Sequence, residues 1–232
     1  MGLSGSEVVT CQDWRAEMSY TVKEVFLTLQ GEGCQTGRVA VFCRFSGCNL
    51  WNGRAADRQA ALCSFCDTDF VGTDGKNGGR YAEAECLADQ VERVWCEGIE
   101  VEDREARWVV LTGGEPLLQV DEALIDALHR RGFRVAVETN GTLAAPVGLD
   151  WICVSPKGDN RLLITAGDEL KLVYPQQDCE PEHFERLNFQ NFLLQPRDEG
   201  GDRRHEAAAL SYCLAHPRWK LSLQTHKWLG IP

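Results

Sequence analysis

Six short apolar runs, each followed by turn-forming or polar residues, limit what this chain can become. They cover residues 38–45, 108–111, 133–137, 150–154, 170–173 and 192–194. Dense apolar runs of this length read as strands. Helical spacing appears between some of them. Leu87, Val91, Val94 and Trp95 predict a helix over 81–97, and Leu124, Ile125 and Leu128 predict one over 121–131, ended by Gly132. A third helix is predicted over 203–215. Strands that alternate with helices build a parallel sheet. The links 139–150 and 155–168 are too short or too polar for crossover helices. About six core strands and about three helices therefore predict an α/β fold, an incomplete parallel barrel that does not reach eight-fold closure.

The same pattern places the chemistry. Thr112-Gly113-Gly114-Glu115-Pro116, Glu138-Thr139-Asn140-Gly141-Thr142, Ser155-Pro156-Lys157 and Gln195-Pro196-Arg197 all follow strand runs. In parallel α/β architectures the carboxyl-terminal edge of the sheet is where sites are built. A further β-rich run, 20–30, alternates Val22, Val25 and Leu27 with polar residues and breaks at Gly31-Glu32-Gly33. Gly72–Arg80 reads as a glycine-rich surface turn, and 219–223 as a run leading into the tail. Residues 1–19 are polar without a clear period and read as a flexible leader, with Met18 as an alternative start. Residues 20–232 read as one domain, with no internal repeat or dividing linker.

A net charge of −11 argues against sequence-independent nucleic-acid binding, which needs an excess of phosphate-neutralising cations. No apolar run is long enough to span a bilayer, and no basic-then-apolar leader marks secretion. A cytoplasmic protein is expected. Its eleven cysteines are then reduced thiols, some of them metal ligands. Cys43, Cys86, Cys96, Cys153 and Cys213 fall in strand or helix patterns and read as small buried hydrophobes. Cys11, Cys34 and Cys179 lie in loops and are undecided.

Cys48, Cys63 and Cys66 stand apart. They share one loop after the 38–45 run, with fourteen residues between the first and second and a C-x2-C pair at the end. Closing the longer gap adds little entropy, because closure cost grows with the logarithm of length. A closed structural zinc site wants four protein ligands. Cys43 or a histidine would have to be the fourth, yet Cys43 sits in the strand and none of the five histidines is near the loop in sequence. Three thiolates also suit a four-iron cluster with one iron left open. The Gly113-Gly114-Glu115 segment adds two glycines that admit close backbone approach and a carboxylate suited to an ammonium group.

With that combination the sequence resembles the radical S-adenosylmethionine enzymes, and more closely the 7-carboxy-7-deazaguanine synthase family. The resemblance is carried by Leu29-Gln30-Gly31-Glu32-Gly33, Arg44-Phe45-Ser46-Gly47-Cys48, Cys63-Ser64-Phe65-Cys66-Asp67-Thr68, Thr112–Pro116, Glu138–Thr142, Ser155-Pro156-Lys157 and Leu194-Gln195-Pro196. It spans 20–232 in the family's order. Most radical S-adenosylmethionine enzymes separate the first two cysteines by three residues. The longer gap here leaves the ligands intact and makes 52–62 a segment that could cover the cluster or meet a redox partner.

The resemblance implies a [4Fe-4S] cluster on Cys48, Cys63 and Cys66, with S-adenosylmethionine on its open iron. Gly114 and Glu115 would hold the methionine end. Phe65, Asp67, Glu138, Asn140, Ser155, Pro156, Lys157 and Gln195 are implied nucleotide contacts. Thr68 would ligate Mg2+ beside the substrate carboxylate, since magnesium prefers few protein oxygens plus substrate and water. Leu29, Gln30, Gly31, Glu32, Arg44, Thr112 and Pro232 would bind 6-carboxy-5,6,7,8-tetrahydropterin, with Glu32 and Arg44 as catalytic residues. Glu32 suits the amide–amidine edge of a pterin, and Arg44 its carboxylate. The implied reaction expels ammonia to give 7-carboxy-7-deazaguanine, within queuosine biosynthesis. A flavodoxin- or ferredoxin-type electron donor and a homodimer are implied too.

Read one at a time, these residues have plainer explanations. Asp67-Thr68 is a capping pair on a turn, Arg44 a solvated strand-end arginine, and Pro232 a frayed tail. Two competing classes share some features. A glycyl-radical activase would need no magnesium and would have an open protein-docking groove. A zinc-stabilised binding module would hold zinc without iron or sulfide.

Overall fold

The computed structural model describes residues 19–100, 106–199 and 203–232. The leader expected over 1–19 lies outside these apart from Ser19. The described residues form one open nine-stranded sheet with helices laid against it. The strands are β1 (Tyr20–Leu29), β2 (Val39–Phe45), β3 (Gly79–Tyr81), β4 (Trp108–Gly113), β5 (Arg134–Thr139), β6 (Trp151–Val154), β7 (Ala166–Tyr174), β8 (Asn188–Pro196) and β9 (Trp219–Leu221). Their order across the sheet is β3-β1-β2-β4-β5-β6-β7-β8-β9. From β2 to β9 every neighbour is parallel, while β1 and β3 are antiparallel. The six expected core runs are thus β2 and β4–β8, and the sheet does not close.

Three helices connect parallel strands: α1 (Ala84–Gly98), α2 (Glu122–Arg130) and α3 (Arg204–Ala215). A short α4 (Thr225–Leu229) follows β9. Asp121 starts α2, its carboxylate accepting from the Leu124 N–H at 2.9 Å. The links after β5 and after β6 carry no helix, as their length and polarity indicated. No helix among the described residues is long and apolar enough to cross a membrane.

Strand alternation sends Val41, Cys43 and Phe45 of β2, Val109 and Leu111 of β4, Val135 and Val137 of β5, and Leu170 and Leu172 of β7 into one core. There they meet Leu87, Val91, Leu124, Ile125 and Leu128 from α1 and α2. Each fully buried Leu or Ile contributes about 1.5–3 kcal/mol. The intervening residues face the other side, where a small apolar group of Ala40, Trp108, Val110 and Ala136 forms a floor. Above that floor the inward positions turn polar: Arg44, Thr112, Glu138, Lys171 and Gln195.

Several expectations need correction. Gly79–Tyr81 is a strand paired with Tyr20–Val22, so the glycine-rich stretch packs on β1 rather than lying free. Cys86 and Cys96 are exposed, because they fall just beside the Leu87–Val91–Val94–Trp95 stripe of α1, and Cys213 is half-buried. Cys43 and Cys153 are buried as expected; of the undecided thiols, Cys179 is buried and Cys34 exposed.

Candidate active site

One cavity of about 370 Å³ opens at the carboxyl-terminal edge of β2, β4, β5, β7 and β8, within the usual range for small-molecule sites. Parallel pairing gathers its walls: the β2–β4 register sets Arg44 beside Thr112, and the β7–β8 register sets Val173 beside Gln195. Leu29, Gln30, Gly31, Glu32 and Pro232 line it, as do Phe65, Asp67, Thr68, Gly114, Glu138, Asn140, Ser155 and Lys157. Cys48, Cys63 and Cys66 line it too.

The cysteine loop is built, not loose. Trp51 packs edge-on against Phe70 with ring centroids 5.6 Å apart. Arg58 stacks over Trp51 at 4.1 Å and donates to the carbonyls of Ser64 (3.0 Å) and Cys66 (2.8 Å). The 52–62 segment therefore braces the C-x2-C turn from its outer side. Cys63 hydrogen-bonds Cys66, which draws the Cys66 thiol down to about 6 and pushes Cys63 up. Cys43, the alternative fourth zinc ligand, lies in the core on the helix side, where burial raises its thiol. Among the described residues no three His, Cys, Asp or Glu side chains converge on a single-ion position. Three thiols with no fourth protein ligand in their loop suit a four-iron cluster with one iron left open.

Gly113 and Gly114 are required by the backbone. Gly113 has φ +128°, and a Cβ there would lie 2.2 Å from the Phe45 carbonyl oxygen. A Cβ on Gly114 would lie 2.0 Å from the Gly47 carbonyl oxygen. The segment is thereby pressed against the cysteine loop, with the Glu115 N–H donating to the Gly47 carbonyl at 2.9 Å.

Two residues expected to touch the nucleotide, Glu115 and Pro156, are not among those lining the cavity. Glu115 does not face the cavity. It is fully buried, and its Oε1 accepts from the Leu117 N–H (3.0 Å) and the Thr139 hydroxyl (2.7 Å), its Oε2 from the Asn140 N–H (2.8 Å). Burial raises its pKa while these donors oppose the rise. It ties the Gly113–Pro116 turn to the end of β5. Pro156 is likewise buried behind the cavity wall, its carbonyl accepting from Gln176 Nε2 at 3.2 Å.

Arg44 is oriented by Glu24, whose carboxylate accepts from its Nε at 2.8 Å, and its guanidinium sits 5.8 Å from the Phe26 ring. Glu32 accepts from Lys171 Nζ at 2.7 Å and from Gln224 Nε2 at 2.9 Å. Burial pushes the Glu32 carboxyl up, but the Lys171 charge and these two hydrogen bonds override it and hold it below the usual carboxylate range. Lys171 also reaches Glu138 at 2.6 Å.

Sequence reasoning missed Lys171, Gln224, His226 and Lys227, which all line the cavity. Lys171 is the inward residue of an otherwise apolar strand end, a signal that alternation alone offered. The other three arrive with the C-terminal segment, more than 150 positions from the loop they meet. Lys227 Nζ donates to Asp67 at 2.7 Å and Asp198 at 2.6 Å. The Thr225 N–H donates to the Gly31 carbonyl at 2.9 Å. A Cβ on Gly31 would strike His226 Nδ1 at 2.2 Å, so only glycine lets the two segments touch. Thr28 Oγ1 donates to the Pro232 carbonyl at 3.0 Å, fastening the tail beside β1.

The comparisons with known proteins agree with this geometry. No family model matches the chain. The 7-carboxy-7-deazaguanine synthase of Bradyrhizobium diazoefficiens is 64% identical over 214 residues, covering 92% of this chain and 100% of the relative. The 7-carboxy-7-deazaguanine synthase of Caulobacter vibrioides is 61% identical over 216 residues, covering 93% and 100%. The crystal structure of QueE from Escherichia coli superposes with a TM-score of 0.64 at 26% identity, covering 89% of this chain and 94% of that one. At these identities and this coverage the chain belongs to the 7-carboxy-7-deazaguanine synthase family.

Proposed function

We propose that this cavity forms 7-carboxy-7-deazaguanine from 6-carboxy-5,6,7,8-tetrahydropterin, with loss of ammonia, as a radical S-adenosylmethionine lyase of queuosine biosynthesis. The observation that carries the reading is that one cavity is lined both by three thiols and by Arg44, Glu32 and Thr112. Cys48, Cys63 and Cys66 would hold a [4Fe-4S] cluster. When bound, the cluster and S-adenosylmethionine supply hydrogen-atom abstraction from the substrate.

The chain's own residues bind and orient. Glu32, kept ionised beside Lys171, accepts the N–H donors of the pterin's amide–amidine edge. Gln30 and Thr112 contact the ring, with Leu29, Gly31 and Pro232 closing around it. Arg44, held by Glu24, meets the substrate carboxylate, and Thr68 offers a hard oxygen to Mg2+ next to that carboxylate. The Gly114 backbone takes the methionine end of S-adenosylmethionine, and Phe65, Asp67, Glu138, Asn140, Ser155, Lys157 and Gln195 contact the rest. Glu32 and Arg44 are the catalytic residues. Loops and the α4 segment exclude water from the reacting centre. The sheet, with residues 20–232 acting as one domain, is an incomplete barrel. The protein works in the cytoplasm as a homodimer, and a flavodoxin or ferredoxin reduces its cluster.

The test is an oxygen-free turnover assay. Reconstituted protein, dithionite, S-adenosylmethionine, magnesium and 6-carboxytetrahydropterin are mixed, and products are read by mass spectrometry. 7-Carboxy-7-deazaguanine is expected, at a rate that drops when magnesium is omitted. 5′-Deoxyadenosine without the deazaguanine would overturn the substrate. Neither product from protein with an intact cluster would overturn the reaction class.

A further inference from the structure

Lys171 is the deepest charge in the cavity, its side chain only 3% exposed. Its neighbours on β7, Leu170 and Leu172, point into the core on the helix side at 0% exposure. Strand alternation therefore fixes Lys171 on the cavity side. A lysine is buried as a cation only where anions surround it. The groups facing it are Glu32 from the segment after β1, Glu138 on β5, Cys153 on β6 and Glu169 on its own strand. Gln224 and His226, from the C-terminal segment, face Glu32 in turn.

The hydrogen bonds close a ring. Lys171 Nζ donates to Glu32 Oε2 at 2.7 Å and to Glu138 Oε2 at 2.6 Å. Gln30 Nε2 donates to Glu138 Oε1 at 2.9 Å, and Gln30 Oε1 accepts from the Glu32 N–H at 3.1 Å. The carboxylate assigned to the pterin and the carboxylate assigned to the nucleotide thus share one cation, and the Gln30 amide ties the second of them to the backbone of Glu32.

We propose that Lys171 is a positioning residue: it locks Glu32 and Glu138 into one unit, so that substrate and cofactor are held in register. The inference rests on the substrate reading above and adds a residue to it. Burial alone would discharge the lysine, and the two carboxylates, Glu138 first, reverse that and keep it charged. In exchange Lys171 holds Glu32 ionised in a buried place where burial alone would favour the proton.

The experiment measures the affinity of reconstituted protein, without oxygen, for 6-carboxytetrahydropterin and separately for S-adenosylmethionine, at several pH values from about 6 to about 8. In the unaltered protein pterin affinity is expected to be flat, since Glu32 has already lost its proton throughout. In Lys171→Met it is expected to fall by roughly 30-fold. The loss should grow as pH falls, because the carboxylate pKa is now raised and the proton blocks the acceptor. S-adenosylmethionine affinity should fall as well. Lys171→Arg keeps the charge and should restore the flat profile even where its own affinity is lower. In a Glu32→Gln background, Lys171→Met should cost far less pterin affinity. That double variant carries no unpaired Glu32 charge and serves if the single variant fails to fold. Lys171→Met affinities within two-fold of the unaltered protein with a flat profile would overturn the proposal. So would a loss of equal size in the Glu32→Gln background. If the unaltered protein binds no pterin, the substrate reading falls, and S-adenosylmethionine affinity alone decides on Lys171.

Discussion

Cys66→Ala protein, reconstituted without oxygen, is expected to hold iron and sulfide only at the background of cluster-free protein, and to form no 7-carboxy-7-deazaguanine. Each iron–sulfur thiolate is a first-hand ligand to its own iron, so a lost sulfur cannot be replaced from nearby. The other cavity-lining side chains within reach of the loop are oxygen and nitrogen donors, which are poor substitutes for a thiolate on such a centre. Cys96→Ala is the control. That thiol is exposed on α1, away from the cavity, and its removal should leave cluster content unchanged. Iron and sulfide analysis with visible absorbance reads the result. Full cluster content in Cys66→Ala would overturn the ligand assignment.

Glu115→Ala is expected to show its effect in stability before affinity. The substitution strands three buried donors: the Leu117 N–H, the Thr139 hydroxyl and the Asn140 N–H. Each unsatisfied donor costs about 1–3 kcal/mol. Relief from burying a carboxylate offsets part of that sum, so a net loss of about 3 kcal/mol is expected. At this chain length that lowers Tm by on the order of 10 °C. Glu115→Gln keeps the shape but has one acceptor oxygen for three donors, and should recover only part of the loss. Calorimetry of the cluster-free protein distinguishes this from a direct ligand role, which would leave Tm unchanged and weaken S-adenosylmethionine binding.

Glu115 also shows where a sequence stops informing. A recurring segment says which residues return together, not which way each side chain points. Glu115 and Pro156 are expected contacts whose side chains stand behind the cavity wall. The core strands were legible because their apolar runs are dense. β7 and β8 extend further than expected because their first halves, Ala166–Glu169 and Asn188–Asn191, are mostly polar. There side chains such as Asp168 replace part of the ladder, accepting from the Ile152 N–H at 2.7 Å. β3 is three residues long and exists through its pairing with β1, a long-range event with no local signal. Most of the cavity's residues were named in advance because they sit in motifs at strand ends. Gln224, His226 and Lys227 were not, because only the folded chain brings the C-terminal segment to Glu32 and Asp67.

The missing helices on either side of β6 have a consequence for motion. β6 is four residues long and shares only two register positions with β7, Cys153 with Glu169 and Val154 with Leu170. No helix covers the connections that flank it; Leu143, Ala145, Leu149, Leu162 and Ile164 of those links pack on the core in a helix's place. With so few ladder positions, local opening is expected to begin at this junction. Ser155 and Lys157 hang from the end of β6 and line the cavity. A ligand held by those two residues stabilises the strand end they hang from, so occupancy of the cavity and ordering of β6 are linked.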